Sequence, residues 1–285
     1  MKCSIIIILY NSDAKFVMNN IQAIYHSVDE IILVDNSDDV NKVFSSISDN
    51  KVTYIPNLSN LGIAAAQNIG IKKARELKSD FVVLFDQDSL LIDYDFSSMI
   101  KVYSQFDGDL ACIGPRIIDS FSNKKVRPLV QKEIQSIQNL TLCSQIIASG
   151  KMIKMSVLDK IGLFEEQLFI DGVDHEWCWR AASKGFVLGI NEDVVMTHTL
   201  GDARYNFGGV TFKVASPIRT YYQFRNILIL SRRGYVPIYW KFRNILSIPI
   251  RFIVFSLFHK DKDKYRKFMI SGFRDGLLKC SGKYK

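Results

Sequence analysis

Phe85-Asp86-Gln87-Asp88-Ser89 sets two carboxylates two residues apart at the end of an apolar run. Hard divalent cations prefer such oxygen ligands, and a diphosphate leaving group needs such a cation. At a strand end one carboxylate holds the metal, while the other reaches it through water or meets a ribose. A solvated turn is the plain alternative, so placement decides. A second cluster, Asp171-Gly172-Val173-Asp174-His175-Glu176-Trp177, offers a proton acceptor. A hydroxyl attacking an activated carbon sheds its proton near the transition state, and a carboxylate within hydrogen-bond reach takes it. Asp174 is the first choice for that base, with Asp171 and Glu176 as rivals. As an N-cap of the helix that follows, Asp174 would be structural.

The elements that must position these groups follow from periodicity. Residues 3–10 and 30–34 are continuous apolar runs, the pattern of strands covered on both faces. Residues 52–55 and 81–85 predict two further strands, and 14–27 and 64–77 predict helices between them. Strand and helix alternate, and each strand ends on polar residues, which describes an open α/β sheet with ligands beyond the strand ends. Asn11, Asp35, Asn57, Asn60 and Asp86 then face one crevice. No glycine-rich dinucleotide fingerprint follows the first strand, and no phosphate-cradling lysine loop appears. That argues against a dehydrogenase and a phosphate-loop ATPase.

Further along, 93–107 predicts a surface helix, Ala111–Gly114 a short strand, and 119–139 a polar excursion. Residues 146–153 read as a strand with a glycine bend, and 156–161 as the start of a helix. A helix over 175–184 is broken by Gly185 before a strand at 186–190, and 217–233 is helical with Pro217 at its start. Gln87 either bonds locally or faces a ligand, and Ser89 caps a following helix. Arg180 pairs with one of the acids. One of Trp177 and Trp179 belongs to the core, and the other is free to stack on a ligand. His198, at a predicted strand end, is either structural, a third metal ligand or a diphosphate contact.

The 285 residues suit one large α/β unit with appendages. Five scattered cysteines make neither a disulfide frame nor a zinc site and suggest a reducing compartment. The N-terminus lacks the features of a cleaved signal peptide. The net charge of +8 is concentrated at the end of the chain: from Lys241 on there are 12 Lys or Arg against 3 Asp or Glu, and before it 25 against 26. A nucleic-acid binder would carry its charge on the folded body, so none is expected as a partner. Here the basic tail adjoins the apolar stretch 252–258, which points to a membrane surface, with packing on the sheet or on a second subunit as the alternative. Residues 238–258 are interrupted by Lys241, Arg243, Pro249 and Arg251, which suits an in-plane segment better than a spanning one.

Taken together, Val34-Asp35-Asn36-Ser37, the stretch from Asn60 to Gly70, Phe85 to Ser89, Phe169 to Arg180, His198 to Gly201, and Arg225-Asn226 resemble the family 2 glycosyltransferases, with bacterial rhamnosyltransferases of cell-surface polysaccharide assembly (O-antigen, capsule) nearest. The resemblance implies a GT-A type α/β fold: a mostly parallel central sheet, flanking helices and a helical, basic C-terminal tail. It implies a catalytic domain over 1–235, with a nucleotide-sugar half (1–110) and an acceptor half (111–235), followed by a segment 236–285 for membrane association or oligomerisation.

Carried onto this sequence, the resemblance gives Asp174 as the base of an inverting transfer. Asp88 becomes the principal ligand of Mg²⁺ or Mn²⁺, with His198 completing the metal or diphosphate site. Asn11, Asp35, Asn57, Asn60, Gly62, Asn68 and Asp86 bind the donor. It further implies dTDP-L-rhamnose as donor, a polyprenyl-diphosphate-linked glycan as acceptor, and a cytoplasmic protein peripheral on the inner face of the plasma membrane. A UDP-hexose donor stays open, and so does a homodimer through the tail. Many relatives carry Glu-Asp where this chain has Val173-Asp174; the aspartate is retained. A nucleotidyltransferase and a non-catalytic glycan-binding protein are the competing classes.

Overall fold

The computed structural model describes residues 1–90, 94–119, 133–137, 139–198, 203–207, 210–259 and 261–285. Its first half follows from its apolar runs. β1 (Cys3–Leu9) is buried at every position, because helices cover both faces of the sheet. It pairs in parallel with β2 (Glu30–Asp35) on one side and β4 (Phe81–Asp86) on the other, and β2 pairs in parallel with β3 (Val52–Pro56). The crossovers carry α1 (Ala14–Ile24), the short α2 (Lys42–Ser45) and α3 (Ile63–Glu76). Asp13 starts α1 by accepting from the amides of Lys15 and Phe16. Strand order reverses at β1, so the crevice beyond its carboxyl end and that of β4 is where such sheets bind ligands.

After β4 come α4 (Phe96–Gln105), β5 (Leu110–Asp119), β6 (Glu133–Ile137), β7 (Leu140–Cys143), β8 (Lys151–Lys154), α5 (Met155–Ile161), α6 (Val173–Ser183) and β9 (Val187–His198). They extend the same sheet to nine strands in the order β3-β2-β1-β4-β8-β5-β9-β7-β6. The expected parallel pairing holds across β3-β2-β1-β4 and for β5 with β9; β8 and the β6–β7 hairpin join antiparallel. Gly150, at φ +79°, leads into β8, and its amide donates to the Leu84 carbonyl of β4 at 2.8 Å.

Two expected short strands are longer: 111–114 grows into β5 and 186–190 into β9. Residues 146–150 form no strand, and most of the polar excursion 119–139 lies outside the described residues. A small hairpin, β10 (Ala203–Phe207) and β11 (Val210–Val214), precedes α7 (Pro217–Ser231).

The C-terminal segment is two helices, α8 (Ile238–Phe258) and α9 (Lys262–Leu277). α9 lies hard against α7: a Cβ on Gly272 would collide with the backbone oxygen of Tyr221, so only glycine allows that approach. Tyr221 Oη donates to Asp275 at 2.8 Å across the same contact.

Candidate active site

One wall of the crevice is the end of β4. The register that pairs Ile8 with Asp86 fixes how far Asp86 projects. The next residue closes the gap to β1: Gln87 accepts from the Tyr10 amide at 2.7 Å and donates to the Tyr10 carbonyl at 3.2 Å. Gln87 is therefore a local brace. Ser89 does not cap α4, a role Asp95 takes; it is buried and bonded to the Ser149 hydroxyl.

The facing wall is a turn held from a distance. Phe169 and Asp171 both adopt positive φ, +64° and +65°, and Gly172 follows at +84°. Such backbone costs about 1 kcal/mol or more per non-glycine residue unless its surroundings impose it. They do. The buried Asn226 amide donates to the carbonyls of Leu168, Ile170 and Asp171 at 3.0, 2.7 and 2.9 Å, and the buried Arg225 donates to Leu168 at 2.9 Å. α6 leaves this turn at once. Its N-cap is Gly172, so Asp174 lies inside the first turn and is no cap. A carboxylate there is favoured by the helix dipole, and Asp174 Oδ2 accepts from the Ala148 amide at 3.2 Å.

Between the walls lies a cleft of about 750 Å³ whose lining includes Asp86, Asp88, Asp171, Asp174, His175, Arg219, Asn36, Asn60 and Gly62. The carboxylates of residues 88 and 174, far apart in sequence, thus share one cavity. Their proximity has an electrostatic signature. Burial, then the charges of Asp174 and Asp88, push the Asp86 carboxyl up to about 7, against the pull of Arg219 and Lys151. The cleft holds more negative charge than it neutralises, a setting that favours a bound cation.

Two cations moderate that charge, and neither is singled out by its local sequence as functional. Arg219, on the first turn of α7, donates to both oxygens of Asp171 at 3.1 Å. Lys151, wholly buried, sits below the site with Nζ 3.7 Å from Cys178 Sγ and near the rings of Phe164 and Trp177. Burial opposes its charge, but Cys178, Cys112 and Asp174 together hold it above its usual value. His175 also lines the cleft. Burial lowers its imidazole below the ordinary range, with Asp174 working the other way.

The structure sorts the remaining sequence candidates. Glu176 does not line the cleft: it is wholly buried and bonded to Arg180, Arg233 and Tyr235, which also settles the partner of Arg180. Both tryptophans are core; Trp177 donates to the Gly162 carbonyl, and Trp179 packs on Trp240 of α8. Asn60 and Gly62 line the cleft, and the Asn60 side chain caps the Gly62 amide at 3.0 Å.

Asp35, Asn57, Asn68 and Asn11 are not among the lining residues. Asp35 is buried under Ser37 and Tyr54, which both donate to it. Asn57 orients Asn36 at 2.8 Å, and Asn36 does line the cleft. Asn68 is buried and ties α3 to the backbone of Phe164. Asn11, at φ +48°, donates its amide to Ser37. His198 ends β9; its side chain lies outside the described residues.

The α/β sheet with its flanking helices has the GT-A type of fold. The chain belongs to glycosyl transferase family 2, whose model matches residues 4–162. It is 32% identical over 298 residues, spanning 97% of this chain and 96% of the relative, to the dTDP-rhamnosyl transferase RfbF of Shigella flexneri. It is 25% identical over 241 residues, 80% of this chain and 75% of the relative, to the low-salt glycan biosynthesis hexosyltransferase Agl10 of Haloferax volcanii. Among solved structures, GalNAc-T7 with UDP, GalNAc and Mn²⁺ matches with TM-score 0.60 at 16% identity, over 98% of this chain and 56% of that one. Residues 1–349 of S. aureus TarS with UDP-GlcNAc match with TM-score 0.58 at 16% identity, over 98% and 82%.

Proposed function

We propose that this glycosyltransferase moves L-rhamnose from dTDP-L-rhamnose to a hydroxyl of a lipid-linked glycan, with inversion at the anomeric carbon. The observation that carries the reading is the convergence of Asp86 and Asp88 with Asp174 in one cleft. The near full-length likeness to a dTDP-rhamnosyl transferase supports the donor.

The residues fit a divalent cation in part. Among the described residues no group of three or more His, Cys, Asp or Glu side chains could cage one. Asp86, raised first by burial and then by the charges of Asp174 and Asp88, nevertheless lines the same cleft as Asp88. Such a site suits Mg²⁺ or Mn²⁺, which take one or two carboxylates and complete their shell with substrate phosphate and water. Asp88 is the principal ligand, Asp86 its neighbour, and a bound cation would neutralise charge on the leaving diphosphate. Arg219 adds positive charge from the opposite wall.

The protein's own groups do the rest. The acceptor oxygen enters against Asp174, which takes its proton as the new C1–O bond forms. The bond from C1 to the diphosphate oxygen breaks, and dTDP leaves with the electron pair. One positioned base and a direct displacement give inversion. Asn36, Asn60 and Gly62 shape the donor side, with Asp35, Asn57, Asn68 and Asn11 supporting that wall from behind. The acceptor is a glycan on polyprenyl diphosphate, met by a cytoplasmic protein peripheral on the inner face of the plasma membrane.

The test is release of nucleoside diphosphate from dTDP-rhamnose, UDP-glucose, UDP-galactose and GDP-mannose, each with Mg²⁺ or Mn²⁺. Selective release from dTDP-rhamnose is expected. Release from a UDP-hexose alone moves the donor assignment, and release from none of them overturns it.

A further inference from the structure

α8 is apolar on the side where a soluble helix should be polar. Ile238, Phe242, Leu246, Ile250, Ile253 and Leu257 recur every three or four residues along its 21 residues, and each leaves more than half its surface in water. Among the described residues of α8, ten positions are exposed and only Arg243 of these is charged. The core side of the helix is already satisfied: Trp240 packs on Trp179 of α6, and Ile248 and Ser256 are buried. The outward stripe is therefore surplus to folding. A run of this length, about 30 Å at 1.5 Å per residue, is far more than the scattered exposed apolar residues of an ordinary surface. No helix among the described residues is long and apolar enough to cross a membrane.

Charge identifies what covers the stripe. No acidic residue occurs between Val236 and Lys260, and the chain from Lys241 on carries 12 basic residues against 3 acidic. Two copies joined through this face would press two such basic segments together. An anionic bilayer offers the opposite sign beside the apolar medium that the stripe requires. Arg243 is exposed and carries no hydrogen-bonded or ion-paired partner among the described residues. Burial and Arg243 together lower Arg251, and Asp171 in the cleft opposes them. Arg251 is thus within electrostatic reach of the acceptor wall.

We infer that α8 docks in the plane of an anionic lipid surface, its outward stripe among the acyl chains and the exposed Arg243 at lipid phosphates. Long basic side chains at the edge of such a stripe reach the headgroup layer while their stems stay apolar. The same helix then holds the mouth of the cleft at the surface from which a lipid-borne acceptor is presented. The inference rests on the lipid-linked-acceptor reading for its purpose, and on α8 alone for its physical warrant.

The experiment is co-sedimentation of the full chain with vesicles of phosphatidylcholine, with and without one-quarter phosphatidylglycerol, alongside light scattering without lipid. Wild type is expected to bind the anionic vesicles. F242S/L246S/I250S, which alters only exposed side chains, should weaken binding tenfold or more while keeping the circular dichroism and the donor hydrolysis of wild type. R243Q should weaken binding to the anionic vesicles and leave binding to the neutral ones unchanged. Failure of the wild type to bind, or equal binding by the triple variant, overturns the inference. So does a wild-type dimer that the triple variant turns into a monomer without any vesicle binding. Stripe-dependent vesicle binding by a protein that hydrolyses no nucleotide sugar would sustain the docking and sink the enzymatic reading, so the two fail separately.

Discussion

The two walls of the cleft are built by opposite means. The β4 wall is local: strand register places Asp86, and Gln87 ties the strand end to its neighbour β1. The α6 wall is assembled from afar. Its left-handed turn at Phe169–Gly172 is held by Asn226 and Arg225, more than fifty residues later, and Arg225 also binds the Gly282 carbonyl near the C-terminus. The carboxylate pair thus rests mainly on the sheet, whereas the wall that carries Asp174 depends on α7 and on the residues around Gly282. Mutations on the two walls should fail differently.

The sharpest separation is between the facing carboxylates. Asp174→Asn keeps the shape of the first turn of α6 and removes the base. We expect kcat to fall about 10²–10⁴-fold, with the donor Kd by calorimetry within threefold of wild type. Asp88→Asn should instead raise the donor Kd and shift the metal dependence. Equal loss of donor affinity in both variants would erase the distinction between the walls.

Next in size is the clamp. Asn226→Leu leaves the carbonyls of Leu168, Ile170 and Asp171 without their amide, and each orphaned buried acceptor costs about 1–3 kcal/mol. The expected loss is about 3 kcal/mol in urea unfolding, since the turn can partly relax toward solvent. Transfer should drop further than donor binding, because the turn carries Asp174 and not the carboxylate pair. A variant that loses stability but keeps its ratio of transfer to donor binding would show that the turn does not need the clamp to aim α6.

How much of this was legible in the sequence follows the same division. The continuous apolar runs fix β1, β2 and β4, and the acidic pair falls at a strand end because that is where the apolar run stops. The convergence of residues 88 and 174 is required by the chemistry assigned to the two clusters, but no local pattern dictates it; the cleft that both line supplies it. What escaped was whatever depends on a distant partner. Trp179 reads as free to stack until α8 supplies Trp240. Glu176 rivals Asp174 until Arg233 and Tyr235 of the segment after α7 are found on it. Arg219 and Lys151 carry no local mark, because a cation becomes functional only when folding brings carboxylates to it. Asp35 and Asn68 show the converse: polar residues beside a site can be spent on holding its frame.

A smaller effect, on the β4 wall, is read by pH. With no cation bound, Asp86 titrates near 7, above the ordinary carboxylate range, because of burial and its acidic neighbours. A folded-state pKa raised above the unfolded one gives stability that is full below about 4 and declines as pH rises through about 7. The Tm in chelator should therefore fall across that window, and Asp86→Asn should flatten the fall. Binding of Mg²⁺ or Mn²⁺ should release a proton below pH 7, seen as a buffer-dependent heat in calorimetry, and tighten as pH rises. Proton release unchanged in Asp86→Asn would assign the titration elsewhere.

The smallest expected effect tests how self-sufficient the β4 wall is. Gln87→Leu removes one acceptor and one donor from the Tyr10 backbone, at an open position where water can replace both. Net hydrogen bonds of this kind contribute about 1 kcal/mol each, less where solvent has access. The loss in urea unfolding should be about 1 kcal/mol, and the donor Kd should change less than threefold, because the β1–β4 register still fixes Asp86 through Ile8. A tenfold loss of donor affinity would mean that the brace, and not the ladder, sets where the carboxylate pair points. The β4 wall would then be as dependent on a side-chain clamp as the wall it faces.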